Sequence, residues 1–110
     1  MALKHLFSTG QLATATVTEV YKVPASGQVA ISSIVVGNTA STTGRATVAV
    51  ATASGVAATN VAQRLYPNVE IPAFDALTIT AGLALGASGV VRVIADTTAL
   101  TFNGFGDEWT

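Results

Sequence analysis

Short runs of Val, Ile and Thr alternate along the chain with clusters of Gly, Ser, Asn and Pro. Within these runs, apolar and polar side chains often alternate with a period of two, as where Val48 and Val50 alternate with Thr47 and Ala49. A period of two is typical of β-strands, whose successive side chains point to opposite faces. The pattern predicts an all-β chain with about eight short strands. The predicted strands cover residues 12–21, 28–38, 45–53, 63–66, 69–71, 76–80, 90–95 and 100–103.

One of these strands differs from the others because both of its faces are apolar. Residues 32–36 read SSIVV, so Ile34, Val35 and Val36 follow one another without a polar break. A strand of this kind is covered on two sides, by a second sheet or by a neighbouring subunit. The sequence therefore predicts a single-domain antiparallel β-sandwich, jelly-roll-like, with this strand near its centre. Strand order stays open, since jelly rolls and immunoglobulin-like sandwiches share these local signals.

Turn residues separate the predicted strands. Residues 38–44 (NTASTTG) form a polar hairpin loop, and Pro67 and Pro72 bracket a short edge strand, where a residue without an N–H is tolerated. Residues 54–63 are predicted to be a loop with at most one helical turn. Residues 82–89 contain three glycines and predict a turn next to a bulged strand, because no lysine of a phosphate-binding loop follows them.

The two ends of the chain carry an unusual share of its large apolar side chains. Four of the seven aromatic residues lie there. We expect residues 1–11 to form an N-terminal arm, residues 12–103 the β-sandwich domain, and residues 104–110 a C-terminal arm. The ends either pack on their own domain or dock onto a partner, with Trp109 as an anchor. The candidate partner-binding residues are Leu3, Leu6, Phe7, Phe105 and Trp109.

The amino-acid composition of the chain argues against several classes of function. Only 10% of the residues are charged, the net charge is -1 and the chain has no Cys. An average soluble domain is about 25% charged, so this surface favours association, and we expect a homo-oligomer or a subunit of a larger assembly. Disulfides and thiolate sites are excluded, and the lack of a basic excess argues against nucleic acid as a partner. Neither a signal peptide nor a membrane span is expected from the apolar runs.

Few residues could carry catalysis. His5 has no cysteine to activate, and Asp75 and Asp96, the best pair for acid–base work on a glycoside, both read as turn residues. Scattered carboxylates do not match zinc or EF-hand spacing, although the pair Asp107 and Glu108 could join a surface Ca²⁺ site with a neighbouring subunit. We therefore expect no enzymatic activity, no cofactor and no metal. A small β-sandwich glycosidase is the enzymatic alternative.

Four segments of the chain resemble a family of proteins. Residues 17–25 (VTEVYKVPA) and 31–39 (ISSIVVGNT) are similar to the opening of small tailed-phage virion proteins of β-sandwich type, which often read TxVYxVPA before an apolar strand ending in Asn-Thr. Residues 71–77 (IPAFDAL) resemble the IPAxDxL turn and strand of that family, and residues 91–95 (VRVIA) its late xRVxA strand. The resemblance spans residues 17–102.

The resemblance implies a structural protein of the virion and carries over no catalytic residue. The expected function is a capsid decoration or cement protein that binds the outer head surface and bridges neighbouring copies of the major capsid protein. Such a protein would be made in the host cytoplasm and would commonly be a homotrimer. The alternative is a tail, fibre or neck accessory protein with an adaptor or receptor-binding role.

Overall fold

A computed structural model describes residues 4–53, 55, 64–80 and 82–109 of the chain. These residues form nine β-strands and no helix, one strand more than expected. The predicted loop at residues 54–63 lies almost wholly outside the described residues. The strands are β1 (Lys4–Gly10), β2 (Thr18–Lys22), β3 (Gln28–Asn38), β4 (Gly44–Ala51), β5 (Arg64–Ile71), β6 (Ala76–Ile79), β7 (Leu83–Leu85), β8 (Val90–Ala95) and β9 (Leu100–Trp109).

The strands form two antiparallel sheets, so the predicted β-sandwich is confirmed. The first sheet has the order β1-β9-β3-β6, and β7 pairs with β3 beside β6. The second sheet has the order β2-β8-β4-β5. The inward faces of the two sheets supply the hydrophobic core, in which the largest fully buried side chains include Phe102, Ile31, Ile34, Ile71 and Leu100.

The strand with two apolar faces, β3, is central as predicted. It pairs with β9 on one side and with β6 and β7 on the other. Its register with β9 shifts between Ile31 and Ser33, so one extra residue is accommodated there. The extra residue lets both Ile31 and Ile34 face the core, although three positions separate them, and both are almost completely buried.

The structure corrects the prediction of two terminal arms at residues 1–11 and 104–110. Residues from Lys4 to Gly10 form edge strand β1, and β9 continues to Trp109 between β1 and β3. A Cβ atom on Gly104 would overlap the ring of Phe7, and one on Gly106 would overlap the backbone of Ala30. Glycine, a poor strand former, is thus required in β9 so that its neighbours can approach.

Other strand boundaries also differ from the prediction. Residues 12–17 precede β2 as a loop in which Ala15 has a positive φ. The two predicted strands around Pro67 are one strand, β5, whose register with β4 shifts between Ala46 and Val48 near Asn68, which also has a positive φ. Strand β7 was not predicted, whereas β3 and β8 have the predicted bounds. Gly82, at the start of the predicted turn, has a positive φ.

The strand directions collect the connecting segments at two ends of the sandwich. Residues 11–17, 39–43, 72–75 and 96–99 lie at one end, which we call the loop end. The opposite end, where β1 begins and β9 finishes, is called the terminal end, and residues 86–89 also lie there. The loop end and the terminal end are therefore opposite surfaces of the sandwich.

Ile34→Ala tests the placement of β3 in the core. Ile34 is fully buried, so the substitution should lower the free energy of unfolding by about 2 to 5 kcal/mol. Thr42→Ala in the exposed loop should cost less than about 0.5 kcal/mol. Denaturant unfolding of both variants measures the difference, and equal small effects would contradict a central, doubly covered β3.

Candidate functional site

The structure separates the predicted partner-binding residues into two groups. Phe7 belongs to the core, and Leu6 is half-buried against it, so both pack on their own domain. Phe105 and Trp109 lie on the opposite side of their sheet, and 36% of Trp109 is exposed. Leu3 lies outside the described residues. Phe105 and Trp109 therefore remain as candidates for contact with a partner.

The outward face of the first sheet is aromatic near the end of β9. Phe102 and Gly104 of β9 point into the core, so the alternation of the strand turns Phe105 outward. The ring of His5 on β1 stacks on Phe105 with 5.0 Å between ring centroids, and its Nε2 atom lies 3.0 Å from Oδ1 of Asn103. We call the surface formed by His5, Val35, Phe105, Asp107 and Trp109 the aromatic face.

Asp107 gives the aromatic face an unusual polar feature. It lies between Phe105 and Trp109 in the alternation of β9, and its Oδ1 atom is buried with no hydrogen-bond partner among the described residues. A buried carboxylate oxygen without a donor is unfavourable, and most such atoms in native proteins are paired.

The neighbouring carboxylate, Glu108, is engaged within the domain. Tyr21 of the second sheet donates a hydrogen bond from its hydroxyl to Oε2 of Glu108, and Nζ of Lys4 lies 3.5 Å from Oε1. The Tyr21 hydrogen bond, together with Lys4, lowers the pKa of Glu108. Burial, with a contribution from Glu108, raises the pKa of Tyr21. These contacts join β1, β9 and β2 across the open edge of the sandwich.

This use of Glu108 also bears on whether Asp107 and Glu108 could join a surface Ca²⁺ site, the alternative raised by the sequence. The two side chains point to opposite faces of β9, because adjacent residues of a strand alternate. Among the residues that the structure describes, no group of three or more His, Asp and Glu side chains could hold a metal ion.

Glu108→Gln tests the contact across the edge. A carboxyl group whose pKa is lower in the folded state stabilises the fold above its unfolded pKa and loses this contribution as the pH falls through the folded value. Wild type should therefore be more stable than the variant at neutral pH, and the difference should shrink below about pH 4.3. Thermal unfolding across this range measures it, and a pH-independent difference would contradict the assignment.

At the loop end, Asn38 connects the two sheets. Its Nδ2 group donates to the carbonyl oxygens of Thr42, at 2.8 Å, and Ile71, at 3.0 Å, and its Oδ1 accepts from the amide of Ala40 at 2.9 Å. Asn38 is 4% exposed and belongs to the first sheet, whereas Ile71 ends a strand of the second. The side chain thereby fixes where residues 72–75 leave the sandwich.

Asp75 and Asp96 serve as turn residues, as predicted. Oδ1 of Asp75 accepts from the amide of Ala76, and Oδ1 of Asp96 accepts from the amide of Arg45, each at 2.8 Å. Both carboxylates thus satisfy backbone donors at the loop end. These bonds account for the presence of aspartate at the two positions.

Phe74 is a residue whose unusual conformation was not predicted from the sequence. The amide of Asp75 donates to the carbonyl of Pro72, which closes a turn over residues 72–75, and Phe74 has a φ of 56° and is 74% exposed. A turn with positive φ at its third position favours glycine or asparagine. An aromatic residue between the proline and aspartate of IPAFDAL is the signal that could have drawn attention to this position.

Two surface cavities lie at opposite ends of the sandwich. The cavity at the loop end has a volume of about 590 Å³ and is lined by Gly10, Gln11, Thr39, Thr98, Ala99 and Thr101. The cavity at the terminal end has a volume of about 210 Å³, and its lining includes Ala51, Ala84, Leu85, Gly86, Ala87 and Gly89. The first offers hydroxyl groups to a ligand, and the second is mainly apolar.

Asn38→Ala tests the connection at the loop end. The substitution leaves two carbonyl oxygens and one amide without their partner, so it should cost about 2 to 4 kcal/mol of unfolding free energy. Thr39→Ala removes one exposed hydrogen bond and should cost less than about 1 kcal/mol. Chemical denaturation of both variants provides the comparison. Equal costs would show that Asn38 does not connect the sheets energetically.

Comparison with protein-family models, curated proteins and solved structures gives no match to this chain. Within the described ranges, no helix is long and apolar enough to span a membrane.

Proposed function

We propose that this chain is a structural subunit of a tailed-phage virion, a capsid decoration protein that binds the outer head surface as a homotrimer. The β-sandwich fold, the low charge and the segments that resemble small virion proteins support this proposal. In this role the chain carries out no reaction. It stabilises the shell by adding contacts between neighbouring capsid subunits.

The aromatic face is the structural feature that gives the proposal its main support. Two aromatic side chains, Phe105 and Trp109, flank the carboxylate of Asp107 along β9, and one oxygen of that carboxylate is buried with no donor among the described residues. Aromatic residues around a small number of polar groups are typical of the centre of a protein interface. The aromatic face is therefore better suited to contact with a protein than to exposure to solvent.

The placement of the chain ends limits which parts of this chain could contact the shell. Segments built into β1 and β9 cannot reach out as arms without removing strands from the first sheet. Binding through the rigid outward face loses less conformational entropy than ordering a free arm. An interface of standard size buries about 1,600 Å², and repetition by symmetry raises the avidity of modest contacts. We therefore assign the shell contact to the face of the sheet.

A second candidate function is a tail, fibre or neck accessory protein with an adaptor or receptor-binding role. The cavity at the loop end favours it, because Thr39, Thr98 and Thr101 place hydroxyl groups around a volume that suits a small ligand. A glycan array distinguishes the two roles: glycan binding without head binding would favour the receptor-binding role.

Sedimentation with undecorated phage heads tests the leading proposal. Wild-type protein should pellet with heads, and Phe105→Ser and Trp109→Ser should each weaken this binding by about tenfold or more, since each removes an aromatic anchor. Both residues sit on the outward side of β9, so folding should survive. Deleting residues 105–110 would not serve as a test, because it removes part of a central strand.

Leu65→Ser is the matched control. Leu65 is 40% exposed on β5, an edge strand of the other sheet, and head binding should be unchanged by its substitution. Wild-type protein that stays in the supernatant would contradict the decoration proposal. Equal losses from Leu65→Ser and Phe105→Ser would contradict the assignment of the aromatic face.

A further inference from the structure

Phe74 has an unfavourable backbone conformation, and burial of its side chain in its own domain does not compensate for it. Its φ of 56° lies in the left-handed region, which bulky side chains rarely occupy, and 74% of its surface stays in water. Strain of this kind persists where the surrounding structure enforces it, and it often marks a functional site. Here the amide of Phe74 donates to the carbonyl of Ala40 and fixes the turn against the neighbouring loop.

The loops around Phe74 carry little charge, and that charge is acidic, whereas the strand ends beside them add the ion pair of Arg45 and Glu70. The four loops, residues 11–17, 39–43, 72–75 and 96–99, are all described, and their only charged side chains are Asp75 and Asp96. A partner for this end would be apolar where it meets the ring and neutral or basic around it.

The terminal end of the same molecule has these properties. Its cavity of about 210 Å³ is lined mostly by alanine, leucine and glycine. A cavity of about 150 Å³ accepts a benzene ring, so the volume suits a phenylalanine side chain. Lys22 pairs with Val90, next to Gly89 of the lining, and Arg64 pairs with Ala49, two residues before Ala51 of the lining. Among the described charged residues at the terminal end, these two residues and Lys4 outnumber the acidic Asp107 and Glu108 by one.

We propose that Phe74 of one copy inserts into the terminal-end cavity of a second copy, so that the chains associate head to tail. Asp75 then faces the end that carries Lys22 and Arg64. The contact joins two different surfaces and is heterologous, so it closes into a ring if the rotation between copies allows it. A ring of three would be the homotrimer of the proposed function. This inference rests on the self-association in the proposed function, and it identifies the two surfaces through which the copies make contact.

Analytical ultracentrifugation of the purified chain, without heads, tests the contact. Wild-type protein should sediment as an oligomer, and Phe74→Asn should sediment as a monomer at the same concentration. Asparagine tolerates positive φ, so this variant should also unfold at a temperature equal to or above that of wild type. Loss of association with no loss of stability separates a docking role from a structural one. Leu65→Asn, which removes another exposed apolar side chain, should leave the oligomer intact.

A mixing experiment tests the cavity side of the contact. Ala84→Glu places a carboxylate at the exposed lining of the cavity, opposite the acidic loop end, and should also yield a monomer. The Phe74→Asn chain keeps an intact cavity, whereas the Ala84→Glu chain keeps Phe74. An equimolar mixture should therefore form a species of two chains that cannot grow further. Damage to folding in either variant would not produce this recovery.

Three results would overturn the inference: a monomeric wild type at all concentrations, an oligomer that survives Phe74→Asn, or a mixture that stays monomeric. Head binding is a separate readout. An oligomer that depends on Phe74 but does not pellet with heads would contradict the decoration role and leave the contact standing. Head binding by a protein that is monomeric throughout would contradict the contact alone.

Discussion

The pairing of β3 with β9 is the interaction on which the rest of the structure depends. The register runs from Gln28 with Trp109 to Asn38 with Leu100, so it extends over the whole first sheet. β9 carries edge strand β1 on its other side, and β3 carries β6 and β7. Because the inward side chains of this pair also pack on the second sheet, loss of the pairing would remove the core together with both ends of the chain.

Asn38 is the last residue of β3, and its hydrogen bonds fix the loop end in position relative to this strand. Its amide group bonds to Ile71 of the second sheet, and its backbone amide donates to the carbonyl of Asp75 at 2.9 Å. Buried polar groups with all partners in place fix one geometry more sharply than apolar packing does. The turn that carries Phe74 is therefore held by the core strand itself, and Phe74 can be presented at a fixed position despite its exposure.

The runs of valine and isoleucine were sufficient to predict β3, from its two apolar faces, and β8, from its alternating side chains. Such patterns were insufficient for the second half of β9, where Gly104 and Gly106 lower strand propensity. These glycines are needed because Gly104 lies against Phe7 and Gly106 lies against the backbone of Ala30, residues far away in the chain. The outward placement of Phe105 was equally inaccessible, since it requires the bounds and register of β9.

Phe74 and Asp107 are unfavourable within the domain for different physical reasons. Phe74 adopts a backbone conformation suited to glycine or asparagine, and Asp107 buries a carboxylate oxygen for which the described part of the chain offers no donor. Natural domains break local rules mainly where function requires it. The two residues lie on different surfaces, one at the loop end and one on the outward face of the first sheet. A subunit that contacts its own copies through the loop end and a shell through the outward face of the first sheet would use both residues.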